Sequence, residues 1–360
     1  MKCSTDGCGK TRRETITIVL NTLKKKEKNI DNFNGDGWWI RFMQRNPKLS
    51  LRASDPLSRV SANAVTEENM SSYFSLLKET LDGNNLFDKP SLIYNMDESG
   101  MPLDHKQLKR VVTKGIKKVH GQASGDKSQI TIVACANAAG HALPPMVIFK
   151  GERFNHEWST GEVADTLYGM SENGWIDSEL FFYWLDKLFL KHIPPHRPVI
   201  LLCDGHKSHY TPDAISRAAQ AGVIIFCIPP NTTHTAQPLD VSFFAPLKRY
   251  WSSTCHEYMN ENPGMVVTKL KFSRLFSKAW VKAIKPETII NGFRKTGICP
   301  FNKSAIKIVE NLSEIESPAT SPSTPASSGG SVVSSPEREN IVATPPPAVV
   351  FSEEQVTLFE

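Results

Sequence analysis

From Ser91 onward the chain alternates short apolar runs with stretches whose apolar residues recur every three or four positions. Ser91 to Met96, Ile130 to Ala136 and Pro145 to Phe149 are short runs rich in strand-forming residues, and they predict strands. The second and third flank Asn137-Ala138-Ala139-Gly140-His141, which suits a hairpin turn. Asp177 to His192 carries Leu180, Phe181, Trp184, Leu185 and Leu188 on one helical face. Val199 to Cys203 and Val223 to Ile228 lack polar alternation, the pattern of strands buried on both faces. Between them Thr211 to Ala221 predicts a helix stopped by Gly222, and Pro229-Pro230 ends the second strand. Strand, hairpin, helix, strand, helix, strand, helix implies an α/β fold, a mixed sheet flanked by helices with polar residues just past strand ends as its natural site.

Two helices are expected before this region. Arg12 to Lys28 places Ile16, Val19, Leu20 and Leu23 at helical spacing. Gly35 and Gly37 are expected to break the chain ahead of a second helix, Trp38 to Arg45. In that helix Trp39, Phe42 and Met43 form an apolar face and leave Arg41 and Arg45 on another. Helix, turn and basic helix is the arrangement of a DNA-binding module, although a solvated helical hairpin has the same pattern. Residues 61–90 are expected to form a linking helix. Residues 317–336 are Pro, Ser, Thr or Gly at 16 of 20 positions, too poor in apolar residues to repay ordering. Ser352-Glu353-Glu354-Gln355 before Val356, Leu358 and Phe359 resembles the capped start of an amphipathic helix, with a frayed tail as the alternative.

Composition adds limits. At 360 residues with 40% hydrophobic and 22% charged positions, the chain is neither fibrous nor wholly disordered. Its apolar runs fall far short of the roughly 20 residues that cross a bilayer, and no membrane association is expected. The first residues lack the pattern of a secretory leader, and Cys135, Cys203 and Cys227 lie in strand-like runs where reduced thiols pack as small hydrophobes. A reducing intracellular compartment follows as the expectation. The net charge of +5 is uneven: residues 1–60 hold 13 Lys and Arg against 6 Asp and Glu, and residues 308–360 hold 1 against 8. The basic front would attract a polyanion.

The candidate chemistry is acidic. Ile93-Tyr94-Asn95-Met96 runs into Asp97, and Ile200-Leu201-Leu202-Cys203 runs into Asp204. A carboxylate at the end of a buried strand costs several kcal/mol to desolvate unless it is paired, hydrogen-bonded or bound to a cation. Asp240 follows Gln237-Pro238-Leu239 at the start of the helical run Val241 to Met259. If these three acids converge, hard divalent cations with oxygen ligands relieve their repulsion, as in two-metal phosphodiester chemistry. If they do not, they are caps or surface ion pairs. Gly121 to Ser128 matches a phosphate-binding loop at Gly, Lys and Ser, but Asp126 replaces the required second glycine, and no nucleotide cofactor is expected. His206 and His209 are read as loop residues beside Asp204 that touch DNA or solvent, and no nucleophile elbow makes Ser208 a hydrolase serine. Glu98 is set aside, because alternation along a strand turns it away from Asp97.

Tyr94-Asn95-Met96-Asp97-Glu98-Ser99-Gly100, Leu202-Cys203-Asp204-Gly205-His206-Lys207-Ser208-His209 and Pro229 to Asp240 together resemble the DDE-type transposase domain of the pogo, Tigger and jerky branch of the mariner superfamily. Asn291-Gly292-Phe293-Arg294-Lys295-Thr296-Gly297-Ile298-Cys299-Pro300-Phe301-Asn302 resembles that family's C-terminal segment. The resemblance spans roughly residues 60–305, and the 35 residues between Asp204 and Asp240 fall in the family's range. It implies a ribonuclease H-like fold over residues 91–305 and Asp97, Asp204 and Asp240 as catalytic and metal-binding acids. It also implies two Mg²⁺ or Mn²⁺ ions as cofactor. The implied reaction is phosphodiester hydrolysis followed by strand transfer from a 3′-hydroxyl.

The family's partner is double-stranded DNA, its compartment the nucleus, and self-association as a dimer is left open. In front, relatives carry two helix-turn-helix units; Thr11 to Arg52 resembles only the latter part of the second, of the centromere-protein-B type. Arg41, Arg45, Lys48 and Arg52 are the candidate DNA contacts there. The C-terminal tail is expected to stop inside a segment that relatives continue. A domesticated or truncated nuclear protein that binds DNA without cutting it is the alternative reading.

Overall fold

The computed structural model describes residues 11–26, 33–47, 49–51, 65–104, 126, 128–306 and 350–351. These fall into two compact units, one up to Thr66 and one from Glu67 onward. In the first, α1 (Arg12–Lys25) starts at a reciprocal cap in which the Thr11 hydroxyl accepts from the Glu14 N–H while the Glu14 carboxylate accepts from the Thr11 N–H. The second helix, α2 (Gly35–Arg45), begins three residues before the expected Trp38. Asn34 explains the difference, because its side chain accepts from the N–H groups of Asp36 and Gly37 at 3.0 Å and recruits both glycines into the first turn. Trp39, Phe42 and Met43 are half-buried and Arg41 and Arg45 exposed, as the pattern predicted.

The second unit is built on a mixed seven-stranded sheet in the order β4-β3-β2-β1-β5-β6-β7. Its strands are β1 (Ile93–Pro102), β2 (Gln129–Asn137), β3 (Met146–Lys150), β4 (Leu167–Ser171), β5 (Val199–Cys203), β6 (Val223–Cys227) and the two-residue β7 (Val350–Phe351). β1 is antiparallel to β2 on one side and, over Ile93 to Asn95, parallel to β5 on the other. It continues well past the expected end at Met96. Pairing with β2, unbroken from Tyr94 opposite Asn137 to Pro102 opposite Gln129, carries the strand through the weak strand formers Glu98-Ser99-Gly100. Asp97 therefore sits within a strand and not at its end. β4, parallel to β3, has no counterpart among the predicted elements. Gly169 interrupts its apolar run, and a side chain there would collide with Leu180 and Met146.

Helices flank this sheet: α3 (Glu67–Gly83), α4 (Ser178–Trp184, continuing through a π-helical stretch Leu185–Phe189), α5 (Pro212–Gln220), the short α6 (Thr233–Ala236) and α7 (Pro238–Ser242), then α8 (Phe244–Glu261), α9 (Lys269–Ala283) and α10 (Pro286–Lys295). The sequence suggested one run from Val241 to Met259; the structure breaks it at Phe243, between α7 and α8. Asp177 caps α4 by accepting from the Leu180 N–H, and Gly222, at φ 67°, ends the helical segment before β6. α8 docks on the far end of β1 through the Trp251 indole N–H, which donates to the Pro102 carbonyl at 2.9 Å. Its Trp251 also meets Phe272 of α9 at 4.9 Å between ring centroids. Within the segment 61–90, expected to be a linking helix, α3 also supplies core. Met70, Tyr73, Phe74, Leu77 and Leu81 are buried, and Tyr73 packs edge-on against Phe226 of β6.

Cys203 and Cys227 pair in the β5–β6 register as buried thiols outside any disulfide, and Cys135 is a buried thiol as well. No described helix is long and apolar enough to cross a membrane. The Pro/Ser-rich tract 317–336 and the suggested helix from Ser352 lie outside the described residues.

Leu77 is fully buried on α3. Leu77→Ala is expected to destabilise the sheet unit by about 2–5 kcal/mol, measured by urea denaturation. A change below about 0.5 kcal/mol, the usual range of surface sites, would place α3 outside the core.

Candidate active site

Asp97, Asp204 and Asp240 are carried by three different elements. In the β1–β5 pairing Asn95 lies opposite Leu202, an offset of 107 residues. The same offset, continued two residues, sets Asp97 level with Asp204 just beyond the end of β5. Asp240 sits in the first turn of α7.

The side chain that ties α7 to the sheet is Asn95, fully buried in β1. Its amide NH₂ donates to the Leu202 carbonyl of β5 at 3.0 Å and to Gln237 Oε1 at 3.3 Å. Its Oδ1 accepts from the Leu239 N–H at 3.1 Å. One buried amide thus links both central strands to the residue that precedes Asp240. A polar residue inside the apolar run Ile93-Tyr94-Asn95-Met96 was the available signal, since buried polar groups are almost always hydrogen-bonded.

The charges of these acids influence one another. Burial raises the Asp97 carboxyl far above the usual range, and the nearby carboxylates of Asp240, Asp204 and Glu98 add to the rise against a backbone hydrogen bond at Glu98. Asp97 Oδ2 is buried with no hydrogen-bond partner. Asp240 is pushed up to about 6, chiefly by desolvation, with Asp204 adding to the rise and Lys248 opposing it. Because Asp240 is open to solvent, water screens part of that effect, and the cost of bringing the acids together concentrates on Asp97.

Asp204 behaves differently. Burial alone would raise it, but contacts with His209 and His206 outweigh that and hold it below the usual range. Tyr210 wraps the same loop by donating its hydroxyl to the Asp204 carbonyl. His209 is not the solvent- or DNA-facing loop residue the sequence suggested. It is buried, tilted against the Phe181 ring at 4.7 Å, with Nδ1 at 3.0 Å from Asp204 Oδ1 and Nε2 at 3.3 Å from Glu98 Oε1. Desolvation lowers its pKa, yet the two carboxylates overcome this and raise it to about 9. Glu98, set aside on strand alternation, consequently reaches Asp204 through an imidazolium bridge. His206, by contrast, is exposed, and its Nδ1 lies 2.8 Å from Ser208 Oγ.

The donor set suits a hard cation: carboxylate oxygens, one of them buried and unpartnered, under mutual repulsion that a divalent ion would relieve. Among the described residues no three His, Cys, Asp or Glu side chains are grouped as they stand so that they could hold a metal ion. Arg41 and Arg45 are exposed on α2, while Lys48 and Arg52 lie outside the described residues.

Residues 127–293 match the family model described as DDE superfamily endonuclease. The chain is 28% identical over 247 residues to the MFS-type transporter clz9 of Cochliobolus lunatus, covering 65% of this chain and 26% of that protein. It is 26% identical over 283 residues to the pogo transposable element with KRAB domain of Mus musculus, covering 72% and 44%. It is 26% identical over 222 residues to the jerky protein homolog of Homo sapiens, covering 58% and 36%. The chain therefore spans less than half the length of each of these curated relatives. Among solved structures, the mariner Mos1 paired end complex with Mg is similar at 11% identity and a TM-score of 0.46, covering 82% of this chain and 80% of that one.

The histidine bridge gives a pH dependence. A folded-state pKa raised from 6.5 to about 9 stabilises the fold fully below pH 6.5, and that contribution is lost as pH rises through 9. Melting temperatures recorded from pH 6 to 9.5 should fall across this window in the wild type and fall less steeply in His209→Gln. Parallel profiles would remove the imidazolium from between the carboxylates.

Proposed function

We propose that this chain, homologous to pogo and jerky proteins and matched to the DDE superfamily endonucleases, is a metal-dependent DNA endonuclease and strand transferase. The observation that carries this reading is the crowding of Asp97, Asp204 and Asp240, with a buried carboxylate oxygen of Asp97 left without any hydrogen-bond partner. A fold tolerates such mutual repulsion where a cation compensates for it.

Asp97, Asp204 and Asp240 are the residues we assign to two Mg²⁺ or Mn²⁺ ions. Bound there, the ions would lower the pKa of water or a 3′-hydroxyl and stabilise the leaving oxygen of a phosphodiester. The remaining roles fall to the chain itself. Both contacts to Asp204, from the His206 N–H and from His209, fall on Oδ1, so Oδ2 is the oxygen we assign to the ligand sphere. His209, itself held by Glu98, fixes the orientation of that carboxylate without touching the reacting groups. Asn95 keeps α7, and Asp240 with it, against the central strands.

Duplex DNA is the proposed substrate and the nucleus the proposed setting. The basic front of the chain and the exposed Arg41 and Arg45 of α2 support DNA contact. Dimerisation belongs to the same proposal as a way of pairing two DNA ends.

Two measurements test it. Nicking of a supercoiled plasmid in Mn²⁺ or Mg²⁺ should drop by more than about 100-fold in Asp204→Asn; equal rates in both proteins would reject the acid assignment. Replacing Arg41 and Arg45 together by Ala should weaken duplex binding and flatten the dependence of log Kobs on log salt by about 0.9 for each phosphate that the variant no longer neutralises. An unchanged slope would assign both arginines to the solvated surface.

A further inference from the structure

The C-terminal motif that begins at Asn291 and Gly292 lies about 50 residues beyond the last of the acids in sequence, yet it packs against that acid's helix in space. α10 buries Ile289, Gly292 and Phe293. Gly292 faces α7, where a β-carbon added to it would lie 2.5 Å from the Pro238 carbonyl oxygen and 3.1 Å from the carbonyl carbon, with Ser242 Oγ also inside contact distance. Pro238 and Ser242 are the two residues on either side of Asp240 at a spacing of two, and the Ser242 hydroxyl closes the turn by donating to the Pro238 carbonyl at 3.1 Å. The opposite side of that turn is the Leu239 N–H held by Asn95. α7 is therefore gripped between β1 and α10.

A glycine inside a helix costs about 1 kcal/mol relative to alanine. Gly292 has a helical backbone, with no left-handed φ that would call for glycine, so conformation does not account for it. Only the close approach to the Asp240 turn does. Ordinary carbon–oxygen contact needs about 3.4 Å or more, so a methyl group at 292 must drive the turn back by about 1 Å.

We infer that Gly292 is a positioning residue for Asp240, and that the close packing of α10 on α7 sets where the third carboxylate stands relative to Asp97 and Asp204. The inference rests on the cation-binding reading proposed above. It assigns the Asn291-Gly292-Phe293 part of the motif a role in metal affinity through α7, with no contact to DNA or to the ions.

The test is a Mn²⁺ titration read as the rise in melting temperature of the full chain, giving a midpoint concentration for each protein. Gly292→Ala should move the midpoint at least tenfold upward, and Ser242→Thr, which adds a methyl group to the same contact from the other side, should move it in the same direction by a smaller factor. Gly83→Ala is the control, because a β-carbon there meets nothing within 4 Å, and its midpoint should equal the wild type's. A merely structural glycine would lower the metal-free melting temperature and leave the Mn²⁺ midpoint in place, which overturns the inference alone. If Gly292→Ala does not fold, Ser242→Thr decides between the same two outcomes. A wild type that shows no saturable Mn²⁺ shift, or shows one that Asp97→Asn leaves unmoved, overturns the cation-binding reading and this inference with it.

Discussion

A single buried side-chain amide organises the acidic end of this molecule. Asn95 satisfies its donors and acceptor with groups from β5, the segment before α7 and α7 itself, and it does so from a buried position in the central strand of the sheet. Left unpaired, a buried amide costs on the order of 1–3 kcal/mol, so its partners are held as firmly as it is. The consequence is geometric: α7 cannot slide along β1 without breaking bonds that have no water to replace them. Asp97, two residues along the same strand, and Asp240, one residue past Leu239, inherit that constraint.

Around this anchor the carboxylates are balanced unequally. Asp204 is ion-paired with a buried imidazolium shared with Glu98, while Asp97 is desolvated and opposed by its neighbours. The two conditions divide the labour between a carboxylate already oriented by protein and one whose charge is still owed a partner.

Much of the sheet was legible in the sequence because β5 and β6 are uninterrupted apolar runs whose burial leaves no other explanation. β4 was not, because Gly169 removes the side chain that would have continued its pattern and the strand is held by β3. The acids were legible as residues that apolar runs lead into, but Asp97 proved to lie inside its strand, where pairing with β2 outweighs local propensity. His209 and Glu98 escaped for a different reason. Their link spans 111 positions, and a strand's alternation describes which face a side chain leaves from, not what another loop folds down to meet it. Asn95 likewise stood in plain view as a polar residue in an apolar run, while its partners at Gln237 and Leu239 lie more than 140 positions away.

The thiols of Cys203 and Cys227 lead elsewhere. Both are buried at paired positions on neighbouring strands, at the end of the sheet from which Asp204 emerges, and burial first of all suppresses ionisation of Cys203. A small alkylating reagent can modify them only when the packing that covers them opens. Their alkylation kinetics are therefore a clock for local opening around the ends of β5 and β6, one residue from a carboxylate whose placement everything at that rim requires.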